Sequence, residues 1–524
     1  MSSTTDSKPA TSANAMGALK NIVIAVVILA GIFGGYTKYV RNSKAIKELR
    51  EQATALIKQD NFDAYKKAAG VLEEARSIRS SDAYAISAGA EVAALLWVEH
   101  GAQEFATPAR DLTSAAVSKE INSSQRFSAE ALTLIGDGKI EDAEKKLSDL
   151  TVKGVATGAI IGALGIVHSR QSKPTVAKSD FKQATDRDWI SPRFSCLYGE
   201  AFFDGGDFVS AQSSFAKALE TNANHVRSRI GKARADIARG AGFAEAQKAL
   251  DEILAAPETL SPVLKARALA GKAESLLAAG DAPAAEKVAV EAVATNAKTD
   301  LGYAYTHFDL GLAQARQKKA EALDSFKAAI MQFPGEARFY FEGASALATA
   351  GRVADGETLY AEYDKTQLAK GDAYHIARSD FYSATGDFTK ALAELDAALK
   401  ENEINPETYY KKGYVFQAQA QAGKGDKRKL YDQAREQYEK AVGFRPNYAD
   451  VFRQIGLMWL DLSPSDPNAM KNLTTALIDY KEARAPKTTT EAFITDVEQR
   501  YKKLGGKWNA VAAQWRTEAS ALLK

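Results

Sequence analysis

Residues Asn405 to Pro446, NPETYYKKGYVFQAQAQAGKGDKRKLYDQAREQYEKAVGFRP, form one complete pattern of a helix, a turn and a second helix. The first predicted helix carries on one face Tyr409, Gly413 and Phe416. The second predicted helix carries on one face Ala434, Tyr438 and Ala441. A proline cannot continue a helix, so the unit ends at Pro446.

The residue types in this unit indicate packing rather than chemistry. Gly413, Ala434 and Ala441 are small enough to let the two helices approach closely, while Phe416 and Tyr438 are large enough to fill the space between them. The pattern therefore predicts a helical hairpin that buries one face.

The unit resembles the tetratricopeptide repeat, a helix–turn–helix of about 34 residues that carries W-x2-L-G-x2-Y, then A-x3-F-x2-A, then Pro. Related units begin at Ser124, Gly158 and Pro192, which lie at this period, and the resemblance extends over residues 49–487. It implies an all-α, right-handed superhelical solenoid in which each hairpin packs on its neighbours. We divide the chain into an N-terminal helical region with degenerate repeats (39–123), the repeat array (124–487) and C-terminal capping helices (488–524).

The N-terminal segment predicts a membrane anchor. Residues 1–15 are rich in Ser, Thr and Ala and predict a disordered tail. Asn21 to Thr37 carry no charge, and Met16 to Thr37 would be roughly 33 Å long as a helix, enough to cross a bilayer core. Residues 16–38 are therefore the predicted anchor. A cleaved signal peptide would need small residues at its cleavage site, and no clear site is present. We therefore expect one retained transmembrane helix before the solenoid, with a bacterial inner membrane as the expected location.

The side of the membrane on which the repeats lie stays open at this point. Lys8 and Lys20 precede the uncharged run 21–37, and a larger basic set follows it, namely Lys38, Arg41, Lys44, Lys47 and Arg50. By the positive-inside rule this asymmetry favours a cytoplasmic repeat domain. The order of short tail, single span and repeats also resembles bacterial inner-membrane repeat proteins whose repeats face the periplasm.

Bulk composition and motifs give no sign of catalysis, a cofactor, a metal or a nucleic-acid partner. The formal net charge is +2, and Cys196 is the single cysteine. No G-x-x-x-x-G-K-[ST] or G-x-S-x-G motif occurs. We interpret three of the histidines as packing residues, while His100 and His225 have no carboxylate at metal-ligand spacing in the sequence. We expect a chain that is not an enzyme.

The resemblance also implies a binding groove. In the repeat family, positions 2, 5, 9 and 12 of each unit point into the concave face. Carried over to the later units, this rule gives a predicted protein-binding groove made of Arg338, Phe341, Ile376, Asp380, Tyr410, Tyr414, Gln417 and Arg453. Tyr and Arg are the residues that most often anchor interfaces. The alternative is that these side chains only pack between repeats.

These observations lead us to expect a membrane-tethered scaffold that binds one or more proteins, as a peptide or a helix, in its concave groove. Such a scaffold would serve a membrane or envelope assembly, such as a secretion, pilus or motility machine, or translocon-associated chaperoning. The alternative is a precursor or import-type receptor with a cytosolic repeat domain that captures hydrophobic client segments. Chaperone-binding repeats hold the C-terminal carboxylate of their partner with Lys at position 5 and Asn at position 9 of a first repeat. In the well-phased units of this chain other residues occupy these positions, for example Tyr410 and Tyr414. The partner, the oligomeric state and the cellular process stay open.

Overall fold

The computed structural model describes residues 20, 37–240, 243–256, 260–296, 303–366, 368–482 and 487–523. Within these ranges the regular structure is helical throughout, which confirms the predicted all-α repeat solenoid. In chain order the α-helices are α1 (37–57), α2 (Phe62–Ile78), α3 (Ala83–Val98), α4 (Ala106–Ser118), α5 (Ser124–Gly136), α6 (Ile140–Val152), α7 (Gly158–Arg170), α8 (Pro174–Arg187), α9 (Pro192–Asp204), α10 (Phe208–Thr221), α11 (Val226–Ala238), α12 (Phe243–Leu254), α13 (Pro262–Ala278), α14 (Ala282–Asn296), α15 (Tyr305–Arg316), α16 (Ala322–Gln332), α17 (Ala337–Thr349), α18 (Val353–Asp364), α19 (Asp372–Ala384), α20 (Phe388–Glu401), α21 (Pro406–Gln421), α22 (Lys427–Phe444), α23 (Ala449–Leu462), α24 (Pro467–Glu482), α25 (Lys487–Leu504) and α26 (Trp508–Leu523). A short 3-10 turn, Gln103–Phe105, precedes α4.

The helices are arranged as stacked hairpins. From α3 onward each odd-numbered helix packs against the even-numbered helix that follows it. From α3 to α7 and from α9 to α23 each odd-numbered helix also contacts the next odd-numbered one. Between α7 and α9 the ring of Phe194 occupies the space that a Cβ atom of Gly162 would need. The odd-numbered helices therefore form one continuous layer, as expected for a repeat solenoid.

The repeat period depends on contacts between a glycine and an aromatic ring. Helices α7 and α9 begin at Gly158 and Pro192, at the predicted unit starts. A Cβ atom at Gly165 would lie 2.5 Å from the ring of Phe181, and one at Gly199 would lie 2.8 Å from the ring of Phe215. In these two units the first helix is thus close enough to the second that only glycine fits at the crossing.

The segment that the repeat pattern left without a clear phase also forms a hairpin, α3 with α4. Helix α3 is buried on nearly all sides because it packs against α2, α4 and α5. Trp97 is 1% exposed, and its ring lies where a Cβ of Gly136 in α5 would otherwise sit, at 2.5 Å. Helix α3 has Glu91 as its one charged residue and so lacks a polar face, which explains why hydrophobic periodicity gave no phase here.

The superhelix brings distant turns into contact. The Asn222 side-chain amide after α10 donates a 2.7 Å hydrogen bond to the Gln59 carbonyl after α1, and His225 Nε2 lies 3.1 Å from Asp60 Oδ2. Burial alone would lower the pKa of His225, but hydrogen bonds to Asp60 and Cys196 raise it to about 10. His225 thus has a carboxylate partner that lies 165 residues away in the sequence.

At the C-terminal end α25 and α26 pack together, and α26 also contacts α24. Trp515 is 2% exposed, and its indole Nε1 donates a 3.1 Å hydrogen bond to the carbonyl of Ile494. The two helices thereby cover the apolar face of α24, as a terminal pair must in a solenoid.

The predicted tail, residues 1–15, lies outside the described residues, as does most of the predicted anchor, residues 16–38. In the part of the chain that the structure describes, no helix combines the length and the apolar character that a bilayer crossing needs.

Candidate binding surfaces of the solenoid

The predicted groove residues of α17 are used largely for internal packing. Arg338 binds Glu342, and its guanidinium lies 5.0 Å from the ring centroid of Phe208, far away in the sequence. The ring centroid of Phe341 lies 4.9 Å from that of Tyr363. Ile376, in α19, packs against the hydrophobic cluster that contains Tyr363. All three side chains thus make contacts within the solenoid.

The predicted residues of α19 and α21 lie on neighbouring odd-numbered helices. Asp380 is 43% exposed at its side chain and accepts a 2.8 Å hydrogen bond from Lys411 in α21. Gln417 is buried, accepts a 2.7 Å hydrogen bond from the hydroxyl of Tyr438 and donates one of 3.1 Å to Gln454. Both side chains therefore link one repeat to the next.

Of the predicted groove residues, Tyr410 and Tyr414 are the pair best suited to form an accessible binding surface. The Tyr410 ring is half-buried, with its centroid 5.3 Å from that of Tyr448 and 6.5 Å from that of Tyr414. Tyr414 is 43% exposed and is the one predicted groove residue that is exposed as a whole. Arg453 lies over the ring of Phe493 at 5.4 Å, one unit further along. The structure thus brings Tyr410, Tyr414 and Gln417 together on α21 and leaves the α17 residues apart from them.

A second candidate site was missed by the sequence analysis. It is a cavity of about 200 Å³ among the odd-numbered helices α7 to α15, here called the inner cavity. Its walls carry both aromatic rings and charged groups. The lining residues include Arg170, Glu200, Asp204, Arg227, Arg234, Arg267, Tyr303 and Tyr305.

One side of the inner cavity is a network of ion pairs around Glu200. Arg227 donates to both oxygens of Glu200, at 2.6 Å each, and Arg267 binds the same carboxylate. Arg227 also donates at 2.8 Å to Glu99, which in turn pairs with Arg193. Burial alone would raise the pKa of Glu200, but Arg227 and Arg267 lower it to about 2, so the carboxylate stays ionised.

The other side of the inner cavity holds carboxyl groups that resist ionisation. The hydroxyl of Tyr305 lies 3.1 Å from Asp204 and 3.3 Å from Glu336. Burial, together with the Glu200 charge, raises the pKa of Asp204 to about 6. Burial, together with the Asp204 charge, raises the pKa of Glu336 to about 8. Arg234 pairs with Glu274 and lies 4.7 Å from the Tyr305 ring centroid.

A signal for this site was present in the sequence. Counting positions 2 and 9 from the unit starts at Pro192 and Val226 yields Arg193, Glu200, Arg227 and Arg234. The same positional rule that gave the predicted groove, applied to these earlier units, would therefore have selected three residues of the cavity wall, Glu200, Arg227 and Arg234.

Two of the histidines interpreted as packing residues, His168 and His375, have carboxylate partners. His168 Nδ1 lies 2.5 Å from Asp180, and His375 Nδ1 lies 2.7 Å from Glu394. In the described ranges no group of three or more His, Cys, Asp or Glu side chains is arranged to hold a metal ion.

Comparison with known proteins agrees with the repeat pattern. Residues 163–226, which extend from within α7 to the start of α11, match the family model of the tetratricopeptide repeat. No curated protein matches the chain in sequence.

Several solved structures are similar to the chain at low sequence identity. Yeast Tom70 is 15% identical, with 90% of this chain and 99% of that chain covered at a TM-score of 0.40. A human IFIT1 dimer with m7Gppp-AAAA is 14% identical, with 82% and 94% covered at 0.43. A tetratricopeptide repeat protein from Parabacteroides merdae is 16% identical, with 47% and 93% covered at 0.33. Because the sequence identities and TM-scores are this low, these similarities support no inference about the partners of this chain.

The matched family model, the glycine–aromatic crossings and the continuous layer of odd-numbered helices agree with one another. Residues 163–226 thus match tetratricopeptide repeats, within a described array of stacked helical hairpins.

Proposed function

We propose that this chain is a non-catalytic, membrane-tethered scaffold that binds another protein on the layer formed by its odd-numbered helices. Tetratricopeptide repeats suggest a protein–protein interaction scaffold. The observation that carries the proposal is the exposure of Tyr414 on this layer, beside the half-buried ring of Tyr410. Paired tyrosines offer large contact area at low entropic cost, with hydroxyl groups for hydrogen bonds.

The surroundings of this tyrosine pair suit an extended peptide or a helix. Lys411 and Asp380 form a polar rim on the side that faces α19. On the buried side of α21, Gln417 accepts a hydrogen bond from the hydroxyl of Tyr438. A partly apolar centre with a polar rim is the general composition of an interface.

The tether is proposed from sequence. Residues 16–38 are apolar over a length that spans a bilayer core, and they would confine the scaffold to one membrane surface. A bacterial inner membrane and a role in a secretion, pilus, motility or translocon-associated assembly follow as proposals. The basic residues of α1, such as Lys38 and Lys44, favour the alternative of an import-type receptor with a cytosolic repeat domain.

Photo-crosslinking in cells tests the binding surface. We expect a photoreactive phenylalanine analogue at Tyr414 to form one discrete protein adduct, because this ring is exposed on the odd-numbered layer. The matched control is Glu439, which is 61% exposed at its side chain on the even-numbered helix α22 of the same hairpin. Mass spectrometry of the adducts identifies the partner.

A partner captured at Tyr414 and absent at Glu439 would support the proposal. Equal adducts at both positions, or self-adducts and lipid at Tyr414, would reject this surface as the working one.

A further inference from the structure

The first three turns of α1 carry unpaired positive charge. They hold Lys38, Arg41, Lys44 and Lys47 and no acidic residue. Lys44 pairs with Glu48 across 3.9 Å, and its side chain stays 80% exposed. Lys38 and Arg41 are exposed and form no ion pair within the part of the chain that the structure describes. The start of α1 therefore presents two unpaired cations to its surroundings.

Packing of α2 against α1 brings a third cation to the same place. Arg79, directly after α2, donates a 3.1 Å hydrogen bond through Nη2 to the Ser43 hydroxyl of α1. Its guanidinium lies 5.9 Å from the ring centroid of Tyr39, and no carboxylate of the described residues pairs with it. Lys38, Arg41 and Arg79 thus meet at one end of the first hairpin, here called the basic end.

The acidic residues of this hairpin are set back from the basic end. On α1 the first acids are Glu48 and Glu51, which pair with Lys44 and Lys47 at 3.9 Å each. On α2 no acid follows Glu74, which precedes the end of the helix by about one turn. The positive charge is therefore outermost at this end.

Apolar side chains are exposed among these cations. Tyr39 is 63% exposed and Val40 is 48% exposed. Tyrosine rings and the stems of lysine and arginine are suited to the level of the lipid headgroups, because their apolar parts can approach the acyl chains while their polar tips stay in water. The uncharged run 21–37 comes directly before them in the sequence. The proposed tether would therefore hold the basic end at the bilayer surface.

We propose that the basic end binds the headgroups of anionic phospholipids. The inference rests on the proposed membrane tether and names the class of lipid that the tethered solenoid contacts. Each Lys or Arg near an anionic membrane raises the affinity roughly fivefold, and guanidinium forks match phosphate oxygens in pairs. A nucleic acid fits less well, because the cations occupy a single helix end and the formal net charge of the whole chain is only +2.

Native mass spectrometry of the purified full-length chain tests the lipid class. The chain is released from detergent micelles that contain equimolar phosphatidylcholine and phosphatidylglycerol, and the adducts of each lipid are measured. We expect phosphatidylglycerol adducts to exceed phosphatidylcholine adducts about fivefold or more. Combining Lys38→Gln, Arg41→Gln and Arg79→Gln should bring this ratio close to one, because the three unpaired cations are then absent.

The matched control combines Lys427→Gln, Arg428→Gln and Lys429→Gln, which removes three cations from the exposed first turn of α22 and should keep the preference. Thermal melts check that both variants fold. If the first variant does not fold, the double variant Lys38→Gln, Arg41→Gln decides, because neither side chain forms an ion pair within the described residues.

A preference for phosphatidylglycerol that is lost in the first variant and kept in the control would support the lipid site. No preference in the wild-type chain, or the same preference in both variants, would overturn it. Carbonate extraction of cell membranes tests the tether separately. A chain that is extracted but still prefers phosphatidylglycerol would reject the tether and support the lipid site, whereas a chain that resists extraction and shows no preference would support the tether and reject the lipid site.

Discussion

Gly413→Leu is expected to lower the stability of the hairpin α21–α22 by about 3 kcal/mol, because a well-packed crossing cannot absorb a large side chain. A Cβ at position 413 would lie 2.6 Å from the ring of Tyr438 and 3.0 Å from the backbone carbonyl of Ala434. The ring could move only by breaking its hydrogen bond to Gln417, and the carbonyl belongs to helix α22. Circular dichroism melts of the purified chain measure the effect.

Two variants serve as controls for this prediction. Gly443→Leu places the same side chain on α22, where nothing lies within 4 Å of the added Cβ, and should leave stability unchanged or slightly raised. Tyr414→Ala should cost about 1 kcal/mol or less, because the ring is 43% exposed. A melt in which Gly413→Leu is no worse than Gly443→Leu would mean that the two helices do not cross at this glycine.

Glu200→Gln is expected to destabilise the N-terminal half by roughly 3–5 kcal/mol, the usual cost of removing one partner from a buried ion pair. The amide would leave Arg227 and Arg267 facing each other without the carboxylate that both now bind. Chemical denaturation followed by circular dichroism measures the loss. The surface pair of Glu252 and Arg229 provides the control, since Glu252→Gln should change stability by about 1 kcal/mol or less.

The Glu200 prediction has a defined pH dependence. The pKa of Glu200 is about 2 in the folded chain, below its usual value of 4.5, so the folded state binds this proton less tightly than the unfolded state. The stabilisation is therefore fully present above about pH 4.5 and is lost as the pH falls towards 2. The difference between wild type and Glu200→Gln should shrink over that window. A difference that stays constant between these pH values would contradict the ion-pair network.

The hairpins could be predicted from sequence because their determinants are local. Gly165 and Phe181 lie within one repeat unit, and their contact recurs with the period of the repeats. Small and large residues at fixed positions are sufficient to recognise such a crossing. The α3–α4 hairpin could not be phased, because α3 lacks a polar face and its burial depends on three neighbouring helices.

The inner cavity depends on contacts that no local pattern encodes. Arg227 meets Glu99, which is 128 residues away, and His225 meets Asp60 across 165 residues. The superhelical winding of the whole array sets these pairings, so the sequence yields the candidate residues but not their partners. The same limit applies to the predicted groove. The positional rule placed Phe341 correctly on a first helix, but it could not foresee the rings of Tyr363 and Tyr374 that pack against it.

The winding of the superhelix underlies both the inner cavity and the continuous layer of odd-numbered helices, and a short crosslinker tests it most directly. In a Cys196→Ser background, Gln59→Cys and Asn222→Cys should be joined within one chain by a short bismaleimide, because the Asn222 side chain bonds to the Gln59 carbonyl at 2.7 Å. The control pairs Gln59→Cys with Asn402→Cys, since Asn402 follows α20 as Asn222 follows α10. We predict efficient crosslinking of the first pair and none of the second. Absence of a link between positions 59 and 222, when both cysteines react with a monofunctional maleimide, would contradict the superhelix described here.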